Sequence, residues 1–189
     1  AMSAGISSAL KQANTSGGVN GRQIRLISKD DFYEPGQAIK NTNDLIFKNK
    51  VFALIGEVGT PTSRVVVPIA EQANVPFIAP YTGARFLRTP FKKQVINIRA
   101  GYDEETQKIV DYLIGKKKLK RIACFYQNDS LGVGGIKGVK KDVKKYQTKL
   151  VAAETYKRNT VAVMGGFLRI KKTAPQEVVL VGSYKTCAE

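Results

Sequence analysis

The stretch "LIGEVGTPTS", Leu54 to Ser63, is an apolar run that breaks off at a loop rich in glycine and hydroxyl groups. Its first half reads as a buried strand. Its second half, with Gly56, Gly59, Thr60, Pro61, Thr62 and Ser63, leads into a helix expected over 62–73. The same pattern repeats outward in both directions. On the N-terminal side lie a helix over 2–14 closed by Gly17 and Gly18, and a strand in "RQIRLISKD" (22–30). The loop "DDFYEPG" follows, then a helix over 36–49 with Ile39, Leu45 and Ile46 on its apolar side. "KVFALIG" (50–56) is the strand that carries the opening residues. On the C-terminal side come the strand "VPFIAP" (75–80), the loop "YTGARFLRTPF" with a short helical turn, and the strand "QVINIRA" (94–100). Gly101 and Tyr102 precede a helix over 103–115, capped by Asp103 with Glu104 and Glu105 in its first turn. The strand "KRIACFYQ" (120–127) is followed by an amphipathic helix over 132–146, with Ile136, Val139 and Val143 on one face. The strand "KLVAAETY" (149–156), a helix over 160–173 and the strand "QEVVLVGS" (176–183) complete the series.

Strands that are apolar throughout and alternate with helices belong to parallel sheets covered on both faces. The fold class is therefore α/β, doubly wound. The first helix has no strand ahead of it, so the sheet is expected to lack its usual first member. In such sheets ligands bind beyond the carboxyl ends of the strands. The loops at 30–36, 56–63, 80–86 and 127–134 are accordingly the places to look for a site.

Composition narrows what that site does. Hydrophobic residues make up 43% of the 189 residues and charged residues 24%, as in an ordinary globular protein. No apolar run approaches the roughly 20 residues that span a bilayer. No basic-then-apolar leader is present at Ala1, so a signal peptide is expected to be absent or already removed. The 31 Lys and Arg against 15 Asp and Glu give a net charge of +16. Both halves are basic: 13 against 6 over 1–100, and 18 against 9 over 101–189. The lysine groups at 116–118, 140–145 and 171–172 fall on helix ends or polar faces, so no nucleic-acid partner is expected. Cys124 and Cys187 form no metal-like cluster, and Cys124 inside a strand pattern reads as a buried free thiol.

Catalysis and phosphate binding find little support. "GEVGTPTS" has neither the lysine nor the glycine spacing of a P-loop. In "SLGVGGIKG" Lys137 stands where a dinucleotide fingerprint requires its third glycine. Those glycines read instead as devices for tight helix entry and close helix–sheet packing. The chain contains no histidine, which removes histidine-based triads and the commonest metal ligand. Asp30–Asp31 and Glu104–Glu105 look like a strand end and a helix start. No catalytic residue, metal or cofactor is expected. What the loops offer is binding chemistry: hydroxyls from Thr60, Thr62, Ser63, Thr82 and Ser130, free N–H groups at helix N-termini, and the flat faces of Tyr33, Tyr81, Tyr102 and Tyr126. Each of these residues also has a plainer reading as a cap or turn former.

The segments "GGVNGRQIRLISKDDFYEPGQAIKNTNDLI", "FALIGEVGTPTSRVVVPIAEQANVPFIAPYTGARFLR" and "LVGSYKTCA" resemble type I periplasmic binding proteins. More narrowly, they resemble the Leu/Ile/Val-binding-protein-like receptors of branched-chain amino-acid ABC importers. The resemblance implies two α/β lobes, here 1–99 and 100–189, with a first hinge crossing at Ile98–Gly101, closing on a ligand like a flytrap. It implies an extracytoplasmic protein that hands an amino acid or related carboxylate to a membrane permease. It places the ligand on Gly59–Ser63 and Tyr81–Ala84, with Thr60 and Thr82 foremost, joined by Thr62, Tyr81 and Gly83. From the second lobe it adds Tyr102, Asn128 and Leu131, the last standing where the family commonly has an aromatic residue. Against the family's pattern the chain begins after the first strand and its loop and stops before the second lobe is finished, so both lobes are expected to be incomplete. Sheet edges left open in this way favour self-association. Two other roles fit the same features: the ligand-sensing domain of a membrane receptor or kinase, and a doubly wound enzyme.

Overall fold

The computed structural model describes residues 2–188. The first half of the chain runs α1 (Met2–Thr15), α2 (Pro35–Asn43), β1 (Leu54–Ile55), α3 (Thr60–Gln72), β2 (Phe77–Ile78) and β3 (Val95–Ile96). The second half runs α4 (Tyr102–Val110), β4 (Ile122–Gln127), α5 (Ser130–Lys145), β5 (Ala152–Tyr156), α6 (Met164–Lys172), β6 (Glu177–Val181) and α7 (Tyr184–Ala188). A widened turn extends α2 through Lys48 and another extends α4 through Lys116. The strands form two three-stranded parallel sheets, ordered β1-β2-β3 and β5-β4-β6. This is the expected α/β class in two lobes.

The second sheet shows why β4 reads so clearly as a strand. Ile122 and Cys124 point to one face, where Val110 of α4 and Ile136, Val139 and Val143 of α5 cover them. Ala123 and Phe125 point to the other, against Tyr156 of β5 and Ile170 of α6. A strand buried on both faces has no polar side to show. Cys124 is a buried free thiol, and burial pushes its pKa up to about 12. The glycines of α5 act as the sequence implied: a Cβ at Gly132 would lie 1.8 Å from the Gln127 carbonyl oxygen. In the first lobe, α3 contributes Val66, Val67 and Ala70 to a cluster closed by Phe77 and Leu87.

Several expectations are corrected. Residues 22–30 are not a strand. After an isolated bridge between Val19 and Arg22, the segment runs free of any ladder among the described residues. Its backbone at Ile24 is held instead by the Asn14 side chain, which donates to the carbonyl and accepts from the amide at 2.8 Å each. A strand requires a neighbour to exchange hydrogen bonds with, and β1 pairs with β2 only. Asp30 and Asp31 do not end a strand: they accept the amides of Phe32 and Tyr33 at 2.8 Å each, bracing two successive residues at φ 54 and 61. Asp103 does not cap α4. Gly101 holds that position and Asp103 lies in the first turn. The true side-chain cap is Asp129, whose Oδ1 accepts the amides of Leu131 and Gly132 and starts α5 at Ser130, two residues earlier than the pattern placed it. Helix α3 also begins early, at Thr60 against an expected 62, whereas α6 begins late, at Met164 against an expected 160.

Candidate functional site

The loop after β1 and the loop after β2 lie side by side, held by a bridge between Val58 and Tyr81. They bring Thr60, the first residue of α3, to Thr82, with the two hydroxyl oxygens 2.6 Å apart. Tyr102, the first residue of α4, packs its ring against the first sheet's core and lays its phenol oxygen 3.0 Å from Thr60 and 2.8 Å from Thr82. Thr60 is 2% exposed and Thr82 is 0% exposed. Three hydroxyls in a closed triangle carry three protons for three contacts, so every proton is used within the ring. An anion that takes a proton from this ring must displace one of its members.

Gly83 makes the ring possible. The Tyr102 amide donates to the Gly83 carbonyl at 2.8 Å, and a Cβ at Gly83 would lie 2.5 Å from the Tyr102 ring. Arg88 braces the same corner. Its Nη1 donates to the carbonyls of Thr82 and Ala84, and its Nη2 to those of Arg99 and Ala100. One guanidinium thus ties the loop after β2 to the Arg99–Ala100 segment ahead of α4. Burial pulls the Arg88 pKa down, against the pull of Glu104.

Of the residues singled out from sequence, Thr60, Thr82, Gly83 and Tyr102 come together. Thr62 is turned away: its hydroxyl donates to the Val58 carbonyl at 2.8 Å, closing the first turn of α3. Tyr81 is 54% exposed, with the Arg99 guanidinium 5.0 Å from its ring centre. Asn128 is exposed and its amide donates to the Tyr156 carbonyl, while the Leu131 amide is taken by Asp129.

A second set of contacts between the lobes was not visible in the sequence. The Tyr33 phenol donates to Asp129 at 3.1 Å, and Arg158 donates to the Tyr33 carbonyl at 3.1 Å. Arg158 also pairs with Glu34 at 2.7 Å, and the Asn159 amide group donates to the other Glu34 oxygen at 2.8 Å. Burial raises the Tyr33 pKa, with the Asp129 charge adding to it. Beside Tyr33, burial and then a hydrogen bond with Asp31 push Glu57 up to about 8. Asp31 Oδ2 and Glu57 Oε1 are buried with no other partner, and a proton held between the two carboxyls satisfies both.

Between the lobes lies a cleft of 840 Å³, lined by Thr60, Arg64, Gly83, Tyr102 and Ser130, among others. That volume suits a small organic molecule. Among the described residues no three His, Cys, Asp or Glu side chains are grouped to hold a metal ion.

Two parallel-sheet lobes joined at a crossing, with loops at the carboxyl ends of strands facing each other over a cleft, define a two-lobed binding protein. The periplasmic binding protein family model matches residues 1–188, and the chain belongs to that family. It is 25% identical over 150 residues to an amino acid binding protein of Pseudomonas aeruginosa, covering 79% of this chain and 40% of that one. A crystal structure of a possible leucine/isoleucine/valine-binding protein from Rhodopirellula baltica is 35% identical, with a TM-score of 0.92 over 99% of this chain and 52% of that one. The solute binding protein of an ABC transporter from R. palustris, solved in complex with benzoate, has the same fold at 23% identity, with a TM-score of 0.86 over 94% of this chain and 49% of that one. The chain thus spans about half the length of the proteins it matches.

Proposed function

We propose that the chain is the ligand-capturing part of an extracytoplasmic solute-binding protein, which takes up an amino acid or related carboxylate for the permease of an ABC importer. The observation that carries this reading is the hydroxyl ring, in which Thr60 and Thr82 of one lobe meet Tyr102 of the other at the edge of the cleft. A carboxylate accepts more strongly than a phenol. It displaces Tyr102 from the two threonines, and the lobes then exclude water around it. The relatives support this class of ligand: one is named for amino acids, another for leucine, isoleucine or valine, and a third holds benzoate. The role is capture without a reaction. The division into lobes at 1–99 and 100–189, and self-association through the open edges of β1 and β3, belong to the same proposal.

Calorimetric titration with L-isoleucine, L-leucine and benzoate tests it. One of them is expected to bind, and Thr60→Ala is expected to weaken binding by about 1–3 kcal/mol through loss of a buried partner. Unchanged affinity in that variant removes Thr60 from the site, and no heat with any of the three contradicts this ligand class.

A further inference from the structure

The walls of the cleft are built alike on both sides. Helix α3 begins with the hydroxyl of Thr60 and carries Arg64 one turn on, while α5 begins with the hydroxyl of Ser130 and carries Lys137 two turns on. All four residues line the cleft, one pair from each lobe. The cations are available: among the described residues neither Arg64 nor Lys137 has an acidic partner. Arg64 is also oriented, its guanidinium stacked 4.4 Å from the centre of the Phe86 ring. Of the other basic residues of the lining, Lys141 faces Asp103 at 3.7 Å and Arg88 is bound to four carbonyls, while Arg85 adds a third cation without an acidic partner among the described residues; the acidic residues of the lining, Asp103 and Glu104, lie at the start of α4. At the hydroxyl end, Ser130 Oγ is buried without a partner.

We infer that the cleft takes a dianion, one anionic group at the hydroxyl end by Thr60 and Ser130 and the other between Arg64 and Lys137. This rests on the binding role proposed above and names its ligand class. With a rise of about 1.5 Å per residue, four to seven residues of helix place the two ends about 6–10 Å apart. A six-carbon or benzene dicarboxylate spans the lower part of that range. Such a ligand touches a cation of each lobe, so its second charge helps hold the lobes together, which a neutral-ended amino acid does not do.

The test compares molecules that differ by one carboxylate: terephthalate against benzoate and adipate against hexanoate, by thermal shift and titration on the full chain. The dianion of at least one pair is expected to bind about tenfold or more tightly than its monoanion, a preference that added salt reduces. In Arg64→Gln and Lys137→Gln the preference is expected to shrink, while Arg64→Lys and Lys137→Arg keep it. Both side chains are exposed, so the unliganded melting temperatures should match the wild type. Equal affinity within both pairs, or a preference that survives in the double glutamine variant, overturns the inference. With L-isoleucine and L-leucine run alongside, binding of either or of benzoate without binding of a dianion means that the inference fails and the binding role stands; if none of the six binds, both fail.

Discussion

The two lobes share one architecture and differ in how firmly it is built. In the second, strands of five and six residues make a continuous ladder, and β4 is covered by α4 and α5 on one face and α6 on the other. In the first, each strand of the ladder is two residues long, β1 has an open edge, and the 23–30 segment passes without joining. Helix α1 buries none of its residues. Yet the first lobe supplies most of the hydroxyl ring. Its loops are held by side chains where the sheet is thin: Arg88 on four carbonyls, and Asp30 and Asp31 on the amides of a strained turn. A loop at the edge of a cleft can therefore be positioned by polar clamps as well as by a long ladder.

Breaking the first lobe's core gives the largest effect. Phe77 is 0% exposed at the centre of its sheet, and Phe77→Ala is expected to cost about 3–5 kcal/mol. If the lobes hold separate cores, amide exchange in that variant will show protection lost over 54–78 and kept over 122–127. Equal loss in both regions would mean that the lobes unfold as one unit.

A smaller effect sharpens the electrostatic side of the contrast. The folded state holds the Glu57 proton up to about pH 8, whereas an unfolded glutamate releases it near 4.5. The folded chain therefore binds more protons between those values, and this group's contribution to stability is lost as pH rises through the window. Glu57→Gln, which keeps a donor toward Asp31, is expected to flatten that slope and to be more stable than wild type above pH 8. Parallel pH profiles in melts of the two proteins would place the effect elsewhere.

Much of this was legible in the chain. Apolar runs such as "RIACFYQ" mark strands because both of their faces are buried, and helix α5 follows from the spacing of Ile136, Val139 and Val143. Thr60, Thr82 and Tyr102, singled out from the strand-end loops and from the family resemblance, are residues whose hydroxyls the fold brings together. The failure at 22–30 has a physical cause: an apolar pattern shows that a segment suits a strand, but pairing depends on a distant neighbour. The contacts of Tyr33 with Asp129 and of Glu34 with Arg158 escape for the same reason, since 96 and 124 residues separate the partners and no periodicity joins them. Arg88 looked like one cation among 31 until the fold brought four carbonyls around it.

The central claim is that one small molecule is gripped by both lobes at once. Amide hydrogen exchange with and without a saturating ligand from the dicarboxylate and amino-acid panel addresses it directly. Slowed exchange is predicted both at Thr82–Ala84 and at Tyr102–Asp103, on opposite sides of the hydroxyl ring. Protection confined to one lobe, or no change in either, would contradict it.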